Sequence, residues 1–114
     1  MNLLFVCTWN VQRSKTAERI CKELCKGNKE IHISSAGIAA KPSMGGIQIT
    51  KEMANKADKI FVMEPEHEIY IEKMSPESKS KIINLNINDI YYRDDPELVE
   101  MLTDKINEML KKII

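Results

Sequence analysis

The chain has 114 residues, 17 basic against 17 acidic, and three cysteines. That length suits one domain over 1–114, and the cancelled charge gives no ground for a nucleic-acid or anionic-membrane partner. An odd cysteine count does not suit a disulfide framework, no apolar run nears the ~20 residues of a membrane span, and Leu3–Val6 is too short for a signal peptide's apolar core and has no basic lead; free thiols in a reducing cytoplasm are expected.

Leu3–Val6 is a short continuous apolar run, the pattern of a strand buried on both faces. From Ser14 the spacing becomes helical, with Ala17, Ile20, Cys21 and Leu24 on one stripe and Gly27-Asn28 as the stop. Ile31 and Ile33 suggest a second strand. Ala36–Gly46 holds Gly37, Pro42, Gly45 and Gly46 and is expected to be loop. Ile49, Met53 and Ala57 predict a helix over Ile47–Ala57, and Lys59–Met63 a central strand. Pro65 suits the first turn of a helix running to about Ser75-Pro76. Ile82–Leu85 is a fourth strand, and Asn86–Asp94 a polar loop. Asp95-Pro96-Glu97 then carries a cap, a first-turn proline and an early acid. The helix that follows places Leu98, Leu102, Ile106, Met109, Leu110 and Ile113 on one face. Four strands alternating with four helices imply an α/β three-layer sandwich, a parallel sheet covered on both faces. Ligands bind such sheets at the strands' carboxyl ends, where Cys7 lies.

Five residues separate Cys7 from Arg13-Ser14 at the next helix start. A loop amide cradle and a helix N-terminus both favour an anion, and the same field favours thiolate over thiol. An Arg there opposes the helix dipole; a bound anion explains it. Its planar fork matches two oxygens of a phosphate-like group. A thiolate so placed can displace on phosphorus and form a cysteinyl-phosphate that water hydrolyses. The loop contains no acid, so the proton donor for the leaving oxygen must come from elsewhere.

Val6-Cys7-Thr8-Trp9-Asn10-Val11-Gln12-Arg13-Ser14, followed by Ala17-Glu18, resembles the phosphate loop of the low-molecular-weight protein tyrosine phosphatases. Ser34-Ser35-Ala36-Gly37, Ala57–Glu64 and Asp89-Ile90-Tyr91-Tyr92 resemble that family's later segments, in order. The resemblance, to a compact prokaryotic branch, implies Cys7 as nucleophile, Arg13 as transition-state clamp and Asp89 as general acid and then base. It makes the backbone of Thr8, Trp9, Asn10, Val11 and Gln12 the phosphate cage, with Asn10 left-handed. Ser14 would donate to the Cys7 sulfur, Ser35 would brace Asn10, and Tyr91 and Tyr92 would flank an aromatic substrate ring. It implies a phosphotyrosine protein or small aryl phosphate as substrate, and no metal or cofactor. The chain departs from the family pattern at several positions. Trp9 replaces a small residue, and Gln12 stands where many relatives have a second cysteine. Lys15 and Ile90 replace prolines, and the Ala36–Gly46 loop is short.

Asp94 and Asp95 are rival acids, although Asp95 before Pro96 reads as a helix cap. Two other functions compete. Arsenate reduction needs a resolving thiol, and Cys21 and Cys25 both lie along the helix leading away from the loop. A non-catalytic oxyanion or phosphopeptide binder, or a phosphocarrier, would gain little from a transition-state Arg and an acid.

Overall fold

The structure, a computed structural model, describes residues 1–113. Its strands are β1 (Asn2–Cys7), β2 (His32–Gly37), β3 (Lys59–Val62) and β4 (Ile82–Asn84). The helices are α1 (Arg13–Leu24), α2 (Lys51–Lys56), α3 (Pro65–Met74) and α4 (Pro96–Ile113). All strand pairs are parallel, in the order β2-β1-β3-β4. The chain runs from β1 outward to β2, then returns to β3 on the other side. The direction of winding therefore reverses beside the carboxyl end of β1, where open α/β sheets hold their ligands.

Alternation along β1 sorts the core into two layers. Leu3, Phe5 and Cys7 face α1 and α4, meeting Ala17, Ile20, Cys21, Leu98, Leu102 and Ile106. Leu4 and Val6 face the other way, toward Ala54 of α2 and Ile71 of α3. Phe5 stacks on Phe61 of β3 with ring centroids 5.0 Å apart. The expected three-layer α/β sandwich, a four-stranded parallel sheet covered on both faces, is therefore present. Among the described residues no helix is long and apolar enough to cross a membrane.

Two element boundaries differ from expectation. β2 starts at His32 and runs through Ser34-Ser35-Ala36 to Gly37, pairing residue for residue from Asn2↔His32 to Cys7↔Gly37. Pairing with β1, not apolar alternation, extends these polar residues. Helix α2 begins at Lys51, not Ile47. Thr50 caps it, its side-chain oxygen accepting from the Met53 amide at 3.1 Å. Residues 47–49 are held extended because Gly37 donates its amide to the Ile47 carbonyl and accepts from the Ile49 amide.

Candidate active site

Strand β1 delivers Cys7 to the sheet's carboxyl edge, and α1 starts at Arg13. The five-residue turn between them closes because Asn10 takes a left-handed conformation, φ 56°, which Asn tolerates better than most residues. Asn10 is fully buried, and its side-chain amide ties three elements together. Its Nδ2 donates to Ser14 Oγ at 2.8 Å and Ser35 Oγ at 2.9 Å, and its Oδ1 accepts from the Ile47 amide at 2.9 Å. Ser35 in turn donates to Glu18. Burial raises the Glu18 carboxyl, but hydrogen bonds from Lys22 and Ser35 outweigh that and hold it below the usual carboxylate range.

The loop's carbonyls are engaged on its outside. The Cys7, Thr8 and Trp9 oxygens accept from Ile38, Ala39 and Lys41, and the Gln12 oxygen from Thr16. The Val11 oxygen accepts from Arg93 Nε at 2.6 Å. With these carbonyls committed, the loop can offer amides and side chains to the cleft. The segment after β2 approaches closely enough to demand glycine. A Cβ on Gly37 would lie 2.6 Å from the Thr8 oxygen and 2.9 Å from the Asn10 nitrogen. Ser14 Oγ sits 2.9 Å from Cys7 Sγ, within donating distance of the sulfur.

Arg13 is 1% exposed, so its charge requires partners. Nη1 donates to Glu64 Oε2 at 2.9 Å and to the Ile87 carbonyl at 2.7 Å. Nε and Nη2 make longer contacts, 3.7 Å to Asp89 Oδ1 and 3.5 Å to Thr8 Oγ1. One corner of the guanidinium is thus anchored, while the Nε–Nη2 edge remains a two-pronged donor for an oxyanion. Cys7, Thr8, Trp9, Val11, Gln12, Arg13 and Asp89 line a single narrow cleft.

The structure therefore gathers most of the residues selected from the sequence, with Ser14 and Ser35 behind the cleft wall. Tyr91 and Tyr92 are not among the lining residues. The Tyr91 ring packs on the α4 side of the core, its hydroxyl toward Met101 Sδ, and Tyr92 is 77% exposed. Asp94 turns away, its carboxylate on Arg19 Nε at 2.9 Å and its amide on Thr16 Oγ1. Asp95 caps α4 by accepting from the Glu97 amide. Trp9 stands half-exposed at the rim with Lys41 Nζ 3.6 Å from its ring centroid, a cation–π contact.

Three residues that reading the sequence passed over support the cleft: Glu64 and His67 from the start of α3, and Arg93 from the loop before α4. His67 Nε2 lies 3.0 Å from Thr8 Oγ1, and its Nδ1 accepts from the Glu64 and Met63 amides. Glu64, Glu66 and His67 have possible metal-ligand atoms within 4.8 Å of one another. Glu64, however, is engaged by Arg13 and both His67 nitrogens by hydrogen bonds, so no ligand set is left open.

The sequence model of the low molecular weight phosphotyrosine protein phosphatase family matches residues 2–48, which hold β1, the Cys7–Arg13 loop, α1 and β2. The fold is similar over nearly the whole chain to solved bacterial enzymes. The tyrosine phosphatase AmsI of Erwinia amylovora is 22% identical, with 97% of this chain and 91% of that chain covered and a TM-score of 0.80. The tyrosine phosphatase Wzb of Escherichia coli K30, in complex with phosphate, is 22% identical over 99% and 98% of the two chains, TM-score 0.76. The arginine phosphatase YwlE of Geobacillus stearothermophilus is 21% identical over 97% and 94%, TM-score 0.72. No curated protein matches the sequence significantly.

Proposed function

We propose that the protein, acting in the cytoplasm as one domain over 1–114, hydrolyses phosphomonoesters of the phosphotyrosine kind through a cysteinyl-phosphate. The carrying observation is one cleft lined by Cys7, Arg13 and Asp89, with Arg13 Nη1 anchored by Glu64 and Ile87 and its Nε–Nη2 edge in longer contacts only, 3.7 Å to Asp89 and 3.5 Å to Thr8, which an oxyanion can replace. The Cys7 thiolate attacks phosphorus opposite the leaving oxygen; an S–P bond forms as the P–O bond breaks. Asp89 turns from the Arg13 edge and gives its proton to the leaving oxygen. The loop amides and Arg13 hold the equatorial oxygens as charge spreads over them. Water then attacks phosphorus, Asp89 takes its proton, and the sulfur departs as thiolate, met by the Ser14 hydroxyl.

Similar folds serve tyrosine phosphatases and an arginine phosphatase. Two lining residues favour an aryl ester. Trp9 offers an aromatic face at the rim, and Val11 offers a guanidinium no hydrogen-bond partner. Arsenate reduction is disfavoured because buried Cys21, with Cys25 beside it, has its thiol pushed up to about 12 and so stays protonated. Cys7→Ser should abolish turnover of an aryl phosphate with the thermal unfolding curve unchanged. The wild type should form a phosphoenzyme, trapped by acid quench, within one turnover. Turnover retained by the serine variant would overturn the mechanism, and faster release from phosphoarginine than from phosphotyrosine peptides would overturn the substrate class.

A further inference from the structure

His67 is fully buried and has no part in the steps above. Two backbone amides, of Glu64 at 3.1 Å and Met63 at 3.3 Å, point at its Nδ1. An amide can only donate, so Nδ1 carries a lone pair and the ring proton sits on Nε2. Nε2–H therefore donates to Thr8 Oγ1 at 3.0 Å. The Arg13 Nη2, itself only a donor, approaches the same oxygen at 3.5 Å. With its lone pairs facing two donors, the Thr8 hydroxyl has one thing left to offer, its own hydrogen, and Thr8 lines the cleft beside Cys7.

We propose that His67 is a positioning residue that fixes the Thr8 hydroxyl as a hydrogen-bond donor to the phosphoryl group held over Cys7. This rests on the phosphatase reading. A freely rotating hydroxyl would spend part of its time accepting, which a phosphate oxygen cannot use. The imidazole, donor at one end and acceptor at the other, removes that choice before substrate arrives. Its neutral form is secured by burial and then by the Arg13 charge, which push it down to about 4 against the pull of Glu64 and Asp89. The same turn supplies Glu64 to Arg13, so the start of α3 orients two donors of the cleft at once.

Three variants test the pair with p-nitrophenyl phosphate as substrate. His67→Asn keeps an acceptor near the Nδ1 position and loses the donor to Thr8. His67→Gln keeps a donor near the Nε2 position. Thr8→Val removes the hydroxyl. His67→Asn and Thr8→Val should each lower kcat about tenfold, the worth of one hydrogen bond, with KM changed less than about twofold. The Asn–Val double variant should be no slower than either alone, and His67→Gln should recover most of kcat. An additive double variant, or wild-type kcat in His67→Asn, would overturn the proposal. Imidazole nitrogen NMR of the wild type gives a readout independent of turnover. It should show Nε2–H at neutral pH, with the Nε2 resonance moving as inorganic phosphate is titrated; an Nδ1–H tautomer or an unmoved signal would overturn the proposal. A wild type that does not hydrolyse the substrate sinks the phosphatase reading instead, and the phosphate titration then decides the positioning role alone.

Discussion

At the scale of single residues, the proposed function divides the cleft into groups that would meet the substrate and groups that hold those groups still. Cys7 and Arg13 could be picked from the sequence because their chemistry shows in residue type and position: a thiol at a strand end and an Arg against a helix dipole each have a reason that neighbouring residues do not supply. Asp89 stands out only through the resemblance of its segment to a family motif, since Asp94 and Asp95 are acids in the same stretch. Glu64, His67 and Arg93 left no such trace. Glu64 lies at the end of a segment that reads as a strand, His67 stands in no motif of its own, and Arg93 is one charge among several in a polar loop. Each acts through contacts made between 51 and 82 positions away along the chain, which no local pattern encodes. Glu64 is the sharpest case, since it accepts from an Arg13 side chain that is 2% exposed while its own is 28% exposed. In Glu64→Gln a neutral amide would replace the carboxylate. Its oxygen could still accept, but the charge that fixes the guanidinium corner would be gone. We expect kcat/KM for an aryl phosphate to fall about tenfold and stability to drop by about 1–3 kcal/mol, the range for a hydrogen bond to a charged group. Steady-state kinetics with urea unfolding checks both. Lost stability with unchanged kcat/KM would reduce Glu64 to a prop for α3.

Among the elements, the start of α3 couples stability to pH. The His67 imidazole falls from 6.5 to about 4, through burial first and the Arg13 charge second. A lowered imidazole means the unfolded chain binds a proton that the folded chain refuses. Stability therefore rises with pH, and the His67 contribution is complete above pH 6.5 and lost as pH falls from 6.5 to about 4. The loss runs at about 1.4 kcal/mol per pH unit at most, on the order of 3 kcal/mol across the window. Gln does not titrate, so comparing unfolding free energies of wild type and His67→Gln at pH 7 and pH 4 removes the carboxylates common to both. The wild type should lose on the order of 3 kcal/mol relative to the variant; parallel pH profiles would show that the imidazole protonates without cost. The elements themselves were legible where burial is one-sided or total. The stripe from Leu98 to Ile113, the run Leu3–Val6 and Pro65 at the start of α3 all lie close to where periodicity and capping put them. β2 and α2 were misjudged at their ends for one shared reason. Gly37 sits between the Cys7–Arg13 loop and residues 47–49; pairing with β1 draws it into β2, and its own hydrogen bonds to Ile47 and Ile49 hold residues 47–49 extended. Gly37 read locally as a loop residue, whereas its place comes from the close approach of another backbone.

For the whole molecule, the consequence of the β2-β1-β3-β4 order is that one cleft draws on every strand. β1 ends at Cys7, β2 brings Ser35 and Gly37 under the loop, β3 leads to Glu64, and the segment after β4 supplies the Ile87 carbonyl and Asp89. An anion bound there meets groups held by all four strands, so it can bind well only when the whole sheet is assembled. Binding to the folded state alone raises stability by mass action, about 2.7 kcal/mol when ligand stands at 100 times its Kd. For a chain of this length that corresponds to roughly 10 °C in melting temperature. Inorganic phosphate, the expected product, should therefore raise the melting temperature steadily with the logarithm of its concentration once it exceeds its Kd. Sodium chloride at matched ionic strength separates binding from screening and should leave a much smaller rise. Arg13→Ala removes the guanidinium edge and should abolish the phosphate-specific part even though that variant starts less stable. A rise reproduced by chloride, or one undiminished in Arg13→Ala, would mean that phosphate acts elsewhere and that the cleft is not the anion site its geometry describes.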